Sequence, residues 1–393
     1  MRTLRGYGGR VALAGVGMVA TLAAAACNTG VSASEPGKQS LTLSQAMQAA
    51  ASAGFPGIQT VISGPNGSRT LTAGVGDVST GAPIPDNSQV RIGSNTKTFV
   101  ATVILQLVAE GKIDLDAPIE KYLPGVVAGN GNDGNRISVR QLLRHQSGLP
   151  DYLTAGPADP KHDPNSPMVQ ADTEKARWAE YQPAELVRIA MSMPPQFEPG
   201  AKAVYTNTNY ILAGMLIDRV TGSSYAAEIR ARILEPLGLR DTYFPEPGET
   251  GIRGTHPRGY QQVDGQRVDY TEQNVSWGGA AGAMISTPAD LSRFFTALTV
   301  EKKLLPAAQL TEMQQTVSFD RMPTAGYGLG LMKLPTTCGK TVWGHGGSIP
   351  GFGTRNGVAA DGTAVVVTVN QVLDSEAGSD AVQAVFDAAL CGR

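Results

Sequence analysis

The chain is poor in the side chains that build metal centres: its 393 residues include three cysteines and four histidines. His145, His162, His256 and His345 are scattered without ligand spacing, so neither a zinc pair nor any other metal site is expected. A surplus of positive charge is also missing. Thirty-two Lys and Arg against 34 Asp and Glu leave a net charge of −2, which gives no ground for a nucleic-acid partner. There are no charge runs and no internal repeats, which argues against an interaction tail or a solenoid. The one long apolar run, Val11 to Ala26, would span about 24 Å as a helix against roughly 30 Å of hydrocarbon, so a spanning anchor is not expected. What remains, 41% hydrophobic residues, is the composition of an ordinary globular protein.

That apolar run follows Arg2, Arg5 and Arg10 and ends in small residues before a polar stretch, the pattern of an export signal over residues 1–26. Cys27 is then a candidate lipid-accepting residue, with plain cleavage after a small-residue site as the alternative. Residues 27–40 read as a linker and 41–393 as a single domain. An exported chain with one remaining cysteine pair implies a disulfide between Cys338 and Cys391. On the chain-entropy view, a loop of 53 residues closed in this way contributes about 4 kcal/mol.

Along the domain, an Ala-rich helix over Leu43 to Ala53 precedes two strand-like runs, Ile58 to Ser63 and Arg69 to Val75, around the turn signal GPNG. Residues from about 117 to 290 read as a mainly helical insert. Helices are expected at Ser138 to His145, Pro183 to Met193, Asn207 to Val220 and Ser224 to Leu234. A proline- and aspartate-rich loop is expected over 155–175. Strands return at Tyr327 to Leu331, Thr341 to Gly344, Phe352 to Ala359 and Ala364 to Val369, followed by a helix from Ser375 to Leu390. Early strands, late strands and intervening helices predict an α+β fold: one antiparallel sheet of N- and C-terminal strands, flanking helices, and a cleft against the helical insert.

In RIGSNTKTFVATVILQL, residues 91–107, Ser94 and Lys97 stand three apart at the head of an apolar helical pattern, and no other serine precedes a lysine by three. Three residues is nearly one turn, so the two side chains share a face, and Lys97 points into whatever the helix packs against. An N-cap serine with a snorkelling lysine would satisfy the local pattern. The alternative is an activated nucleophile, because a desolvated lysine favours its neutral form and can accept the serine proton. The helix N-terminus offers free N–H groups where an oxyanion would form. Two further motifs stand out. VYTNTNY places Tyr205 and Asn207 just before a helix, and WGHGGSIPGF places His345, Gly346 and Gly347 at a strand edge. Taken singly, they read as a core tyrosine, an N-cap and a core histidine.

Taken together, Ser94-x-x-Lys97, Tyr205-x-Asn207 and His345-Gly346-Gly347 resemble the three boxes of the penicillin-recognising serine hydrolases. Within that group the chain looks like the class C β-lactamase and D-alanyl-D-alanine carboxypeptidase branch. LLRHQSGLPDY, FEPGAKAVYTNTNY, ILEPLGLRDTYF, GAMISTPADLSRFF and YGLGL resemble its connecting segments. The resemblance implies Ser94 as acylated nucleophile, Lys97 as its proton acceptor, Tyr205 as proton relay, Asn207 as support for Lys97 and the substrate amide, and His345 as part of the proton network. It further implies an oxyanion hole from the backbone N–H groups of Ser94 and Ser348, a cleft wall including Gly346 and Gly347, and Trp277 as a cleft-lining aromatic.

His345 and the cysteine pair match the secreted actinomycete-type carboxypeptidases, whereas β-lactamases of this branch carry lysine in the third box. Gly346 replaces a threonine, and Met332 stands where those carboxypeptidases carry a carboxylate-gripping arginine. Lys333, Lys340 or Arg355 could substitute for it. The expectation is therefore an exported D-alanyl-D-alanine carboxypeptidase acting on peptidoglycan stem peptides, acylated by β-lactams and needing no cofactor. The alternatives are an esterase or β-lactamase acting on small acyl substrates, and a non-catalytic penicillin-binding sensor.

Overall fold

A computed structural model describes residues 41–153, 173–318, 324–373 and 375–392. The expected export signal, the linker and Cys27 lie outside these residues, as does most of the loop expected over 155–175. The last part of that loop starts a short helix, Glu174–Trp178, capped by Thr173.

The architecture is α+β. Its main sheet is antiparallel, in the order Gly67–Gly74, Gly57–Gly64, Ala364–Val369, Phe352–Ala359, Val342–Ile349, Met332–Leu334, Gly326–Tyr327, Val317–Ser318. The early strands join the late ones through Ile58 opposite Val369 and Ser63 opposite Ala364. In AVVVTV, residues 364–369, successive side chains face opposite sides. Val365, Val367 and Val369 enter a core with Leu43, Met47, Phe386 and Leu390 from the terminal helices Leu43–Ser52 and Glu376–Leu390. Ala364 and Val366 enter the larger core on the other face, with Phe294, Phe295 and Leu298 of helix Pro288–Thr299. A strand buried on both faces needs the continuous apolar run that this one has.

The segment from 117 to 290 carries helices Val139–Leu143, Pro183–Met191 and Thr208–Thr221, but also the hairpins Ala128–Gly129/Asn132–Asp133 and Tyr260–Val263/Gln266–Asp269. The helix expected over 224–234 bulges into a π-turn at Arg230–Leu234 before Glu235–Leu237. Of the strand expected over Tyr327 to Leu331 only Tyr327 is in a strand; residues 328–331 turn between Gly326–Tyr327 and Met332–Leu334. Gly330 (φ +71) breaks it, because a Cβ there would meet the Tyr210 hydroxyl and the Ala101 methyl.

Cys338 and Cys391 are bonded, with Cα atoms 5.8 Å apart. The bond ties the turn between Met332–Leu334 and Val342–Ile349, rather than a strand itself, to the end of the C-terminal helix. Non-reducing peptide mapping should recover these two cysteines in one linked peptide pair, and reduction should lower the melting temperature. Two free thiols in protein purified from an oxidising compartment would contradict the pairing.

Candidate active site

Helix Thr96–Ala109 is buried almost all round, the pattern of a core helix rather than an amphipathic surface one. Ser94 lies one turn ahead of it, in a 3₁₀ turn formed by Gly93–Asn95. The turn is held from both sides. Asn95 Nδ2 donates to Ile92 O (2.7 Å), and Asn356 Nδ2 donates to Asn95 Oδ1. Thr96 Oγ1 donates to Gly93 O (2.8 Å) and accepts from Met284 N (3.2 Å).

The strand Val342–Ile349 pairs with Met332–Leu334 only through Val342 to Gly344, so from His345 onward that edge is left for the Ser94 turn. Two glycines allow the approach. A Cβ on Gly347 would meet Ile92 O at 2.0 Å, and one on Gly93 (φ +50) would meet the backbone N of Ser348 at 2.9 Å. Ser348 N is thus brought beside the serine turn.

Lys97 is fully buried. Its Nζ lies within hydrogen-bond distance of Ser94 Oγ (2.9 Å), Asn207 Oδ1 (2.8 Å) and Ala281 O (2.7 Å), all neutral oxygens, and 4.8 Å from the centre of the Tyr205 ring. Asn207 precedes helix Thr208–Thr221, yet its side chain does not cap that helix. Its Nδ2 instead donates to Asp151 Oδ2 (2.9 Å), which also accepts from Asn207 N (3.0 Å); this turns Oδ1 toward Lys97. The N-cap readings of Asn207 and Ser94 therefore give way to a connected polar network.

These groups open onto a cleft of about 390 Å³. Ser94, Tyr205, Asn207, Trp277, His345, Gly346, Gly347 and Ser348 all line it, so the structure brings together every sequence-selected residue except the buried Lys97, which reaches the cleft through Ser94. Trp277 is 5% exposed, and Tyr152 Oη donates to its carbonyl (2.7 Å). The cleft continues past Gly346 into an apolar part lined by Phe55, Met332, Val369, Leu373 and Val382.

Burial pushes the pKa of His345 down from its ordinary 6.5 to about 3, with Lys97 and Arg355 adding to the effect, so its ring is neutral at physiological pH. The three cations that could replace the missing arginine differ in position. Lys333 alternates with Met332 on its strand and points outward, and Lys340 bonds Asp361 (3.1 Å) and Leu390 O (3.1 Å). Arg355 lines the cleft, with Nη1 3.9 Å from where a Gly346 Cβ would stand, and Asp387 lies close enough to act on its charge.

Sequence reasoning missed Asp151, His145 and Ala281 as members of the site. Asp151 and His145 both fall in LLRHQSGLPDY, whose crowding of polar residues beside a glycine turn was the available signal. The carbonyl of Ala281 had none.

Chemically, the arrangement offers a serine hydroxyl bonded to a buried amine, a tyrosine beside both, and backbone N–H groups near the serine: the parts that acyl transfer requires. A family model described as Beta-lactamase matches residues 42–390. A solved D-stereospecific amidohydrolase from Streptomyces sp. is 40% identical, with 89% of this chain and 98% of that one covered and a TM-score of 0.79. A solved D-amino acid amidase from Ochrobactrum anthropi SV3 is 28% identical over 89% of this chain and 99% of that one, with a TM-score of 0.72. Esterase EstB of Burkholderia gladioli is 31% identical over 51% of this chain and 50% of its own length, so this chain spans about half of that curated relative.

Proposed function

Because the chain belongs to the Beta-lactamase family of serine hydrolases, we propose that it is an amidohydrolase taking acyl groups of D configuration from neutral amides and esters. The observation that carries this reading is the uncharged third box: a buried, neutral His345, with Met332 and an apolar extension lining the same cleft. A terminal carboxylate buried in that apolar part would be expensive unless Arg355 reached it, whereas an amide or ester needs only hydrogen bonds. The D configuration is supported by the activities named for the two solved relatives.

In this reading Lys97 is neutral, its two N–H groups directed to Asn207 Oδ1 and Ala281 O, so that Nζ accepts the hydroxyl proton as Ser94 Oγ attacks the acyl carbon. The N–H groups of Ser94 and Ser348 hold the oxyanion. Tyr205 delivers a proton to the departing nitrogen as the C–N bond breaks. Water then attacks the acyl-enzyme and gives its proton back to Tyr205, while Lys97 returns the proton it took to Ser94 Oγ as that oxygen leaves, releasing the acid and free Ser94. The exported location read from residues 1–26 belongs to the same proposal, and a lipid mass on the Cys27 peptide would separate anchoring from plain cleavage.

Arg355 favours a second reading, the D-alanyl-D-alanine carboxypeptidase, since it is the cation that lines the cleft. A substrate panel decides. D-Phenylalanine amide, its L enantiomer, a short acyl ester, and a diacyl-D-Ala-D-Ala peptide with free or amidated terminus should be turned over in favour of the D-amide, the ester and the amidated peptide. Faster release of D-alanine from the free-carboxylate peptide would overturn the proposal for the second reading. Failure to turn over any of them would favour the sensor.

A further inference from the structure

His145 is fully buried and holds a left-handed backbone conformation (φ +57) that a non-glycine residue rarely adopts, so the surroundings must impose it. Its two ring nitrogens serve different parts of the site. Nδ1 accepts from Thr206 N (3.3 Å), the residue between Tyr205 and Asn207, and Asn209 Nδ2 lies at 3.2 Å. Nε2 lies 3.1 Å from the Tyr327 hydroxyl, which in turn lies 3.1 Å from His345 Nε2. The far nitrogen of His345, Nδ1, is 2.5 Å from Gly346 O. One connected line thus runs from the Tyr205 turn, through His145 and Tyr327, to the cleft strand.

The protons along that line can be assigned from what each partner is able to do. A backbone N–H donates, so the Nδ1 of His145 that receives it is bare, and the proton of a neutral ring sits on Nε2 and is donated to Tyr327 Oη. A carbonyl only accepts, so His345 Nδ1 carries a proton toward Gly346 O. With one proton per neutral ring, His345 Nε2 is bare and accepts from Tyr327. Tyr210 also reaches the Tyr327 hydroxyl, but its own proton goes to Leu143 O (2.9 Å), and a phenol oxygen is a weaker acceptor than an imidazole nitrogen. Tyr327 is fully buried, and burial raises its pKa well above 10, so it stays protonated. The charges acting on His345 are then Lys97 and Arg355, which oppose a positive ring; its other partners are the neutral Tyr327 and Asn356, whose Oδ1 accepts from His345 N (3.5 Å).

We propose that Tyr327 and His145 are positioning residues that hold His345 in its Nδ1–H form, with Nε2 engaged, and so couple the Tyr205 turn to the strand carrying Gly346 and Ser348. In this arrangement His345 neither donates to nor takes a proton from the substrate. It fixes the cleft wall and keeps it uncharged, which goes beyond the assignment of the substrate and does not depend on it.

The test is ¹⁵N NMR of histidine-labelled protein, with the four histidines assigned by single substitution. In the wild type, His345 should show a protonated Nδ1, a bare Nε2 and no titration from pH 5 to 8. Tyr327→Phe should mix the tautomers and lower kcat/KM about 10-fold, the scale of one lost hydrogen bond between neutral groups. His145→Gln, whose amide N–H can still point at Tyr327, should keep the wild-type signature better than His145→Ala. A wild-type His345 protonated at Nε2, or titrating between pH 5 and 8, overturns the proposal without any variant. So does a folded Tyr327→Phe protein with unchanged spectrum and unchanged kcat/KM. Because the spectrum is read without substrate, failure of the amidohydrolase reading would leave it intact.

Discussion

Incubated with a β-lactam or an active ester, the protein should gain one acyl mass, on the peptide that carries Ser94. The expectation follows from the Ser94 Oγ to Lys97 Nζ hydrogen bond of 2.9 Å, which puts a proton acceptor on the hydroxyl before substrate arrives. Ser94→Ala should leave no adduct. Lys97→Ala should slow acylation by about 10²–10⁴-fold, the usual contribution of a positioned base. Because Lys97 also bridges Asn207 Oδ1 and Ala281 O, its removal leaves those two oxygens facing a cavity. Circular dichroism of each variant therefore has to accompany the rate, and Lys97→Met, which fills more of the space, gives the same chemical loss with less cavity. An adduct that persists in folded Ser94→Ala protein would remove the serine from the mechanism.

Much of this was legible in the sequence, for reasons that differ between elements. The strands Phe352–Ala359 and Ala364–Val369 were read with their bounds because both end at turn residues, and the second also because a run buried on both faces is apolar at nearly every position. YGLGL misled, since an apolar run does not reveal that its glycine sits against Tyr210 and must turn. The hairpins inside the helical segment were invisible because their strands are short and polar: AG, ND, YQQV and QRVD carry no alternation.

In the site, Ser94 and Lys97 stood out because a lysine in an apolar helix needs an explanation. Tyr205, Asn207 and His345 fit their local patterns when taken singly and stood out through the resemblance carried by the three motifs together. Asp151, His145, Tyr327 and Ala281 belong to none of those motifs. Their contributions arise from distant pairing, such as Asp151 with Asn207 or Tyr327 with two histidines, which spacing along the chain cannot encode.

Tyr205→Phe should separate amides from esters. The ring lies 4.8 Å from Lys97 Nζ and 4.2 Å from the His145 ring, so the phenyl replacement keeps the packing and removes only the hydroxyl. If that hydroxyl delivers the proton to the leaving nitrogen, amide turnover should fall by about 10²–10⁴-fold, because an amine anion cannot depart unprotonated. A nitrophenyl ester releases a stabilised phenolate that needs no proton, so its acylation step should be slowed far less. Deacylation still needs a base for the attacking water, and the hydroxyl that would serve is gone. The variant should therefore give a rapid burst of nitrophenol equal to the enzyme concentration, then a slow steady state, with the acyl group held on Ser94 and visible by mass. With amides no such intermediate should accumulate, since acylation itself has become slow. Equal losses in the acylation of amide and ester would move the leaving-group proton to Lys97, which already touches Ser94, and would leave Tyr205 a part of the cleft wall.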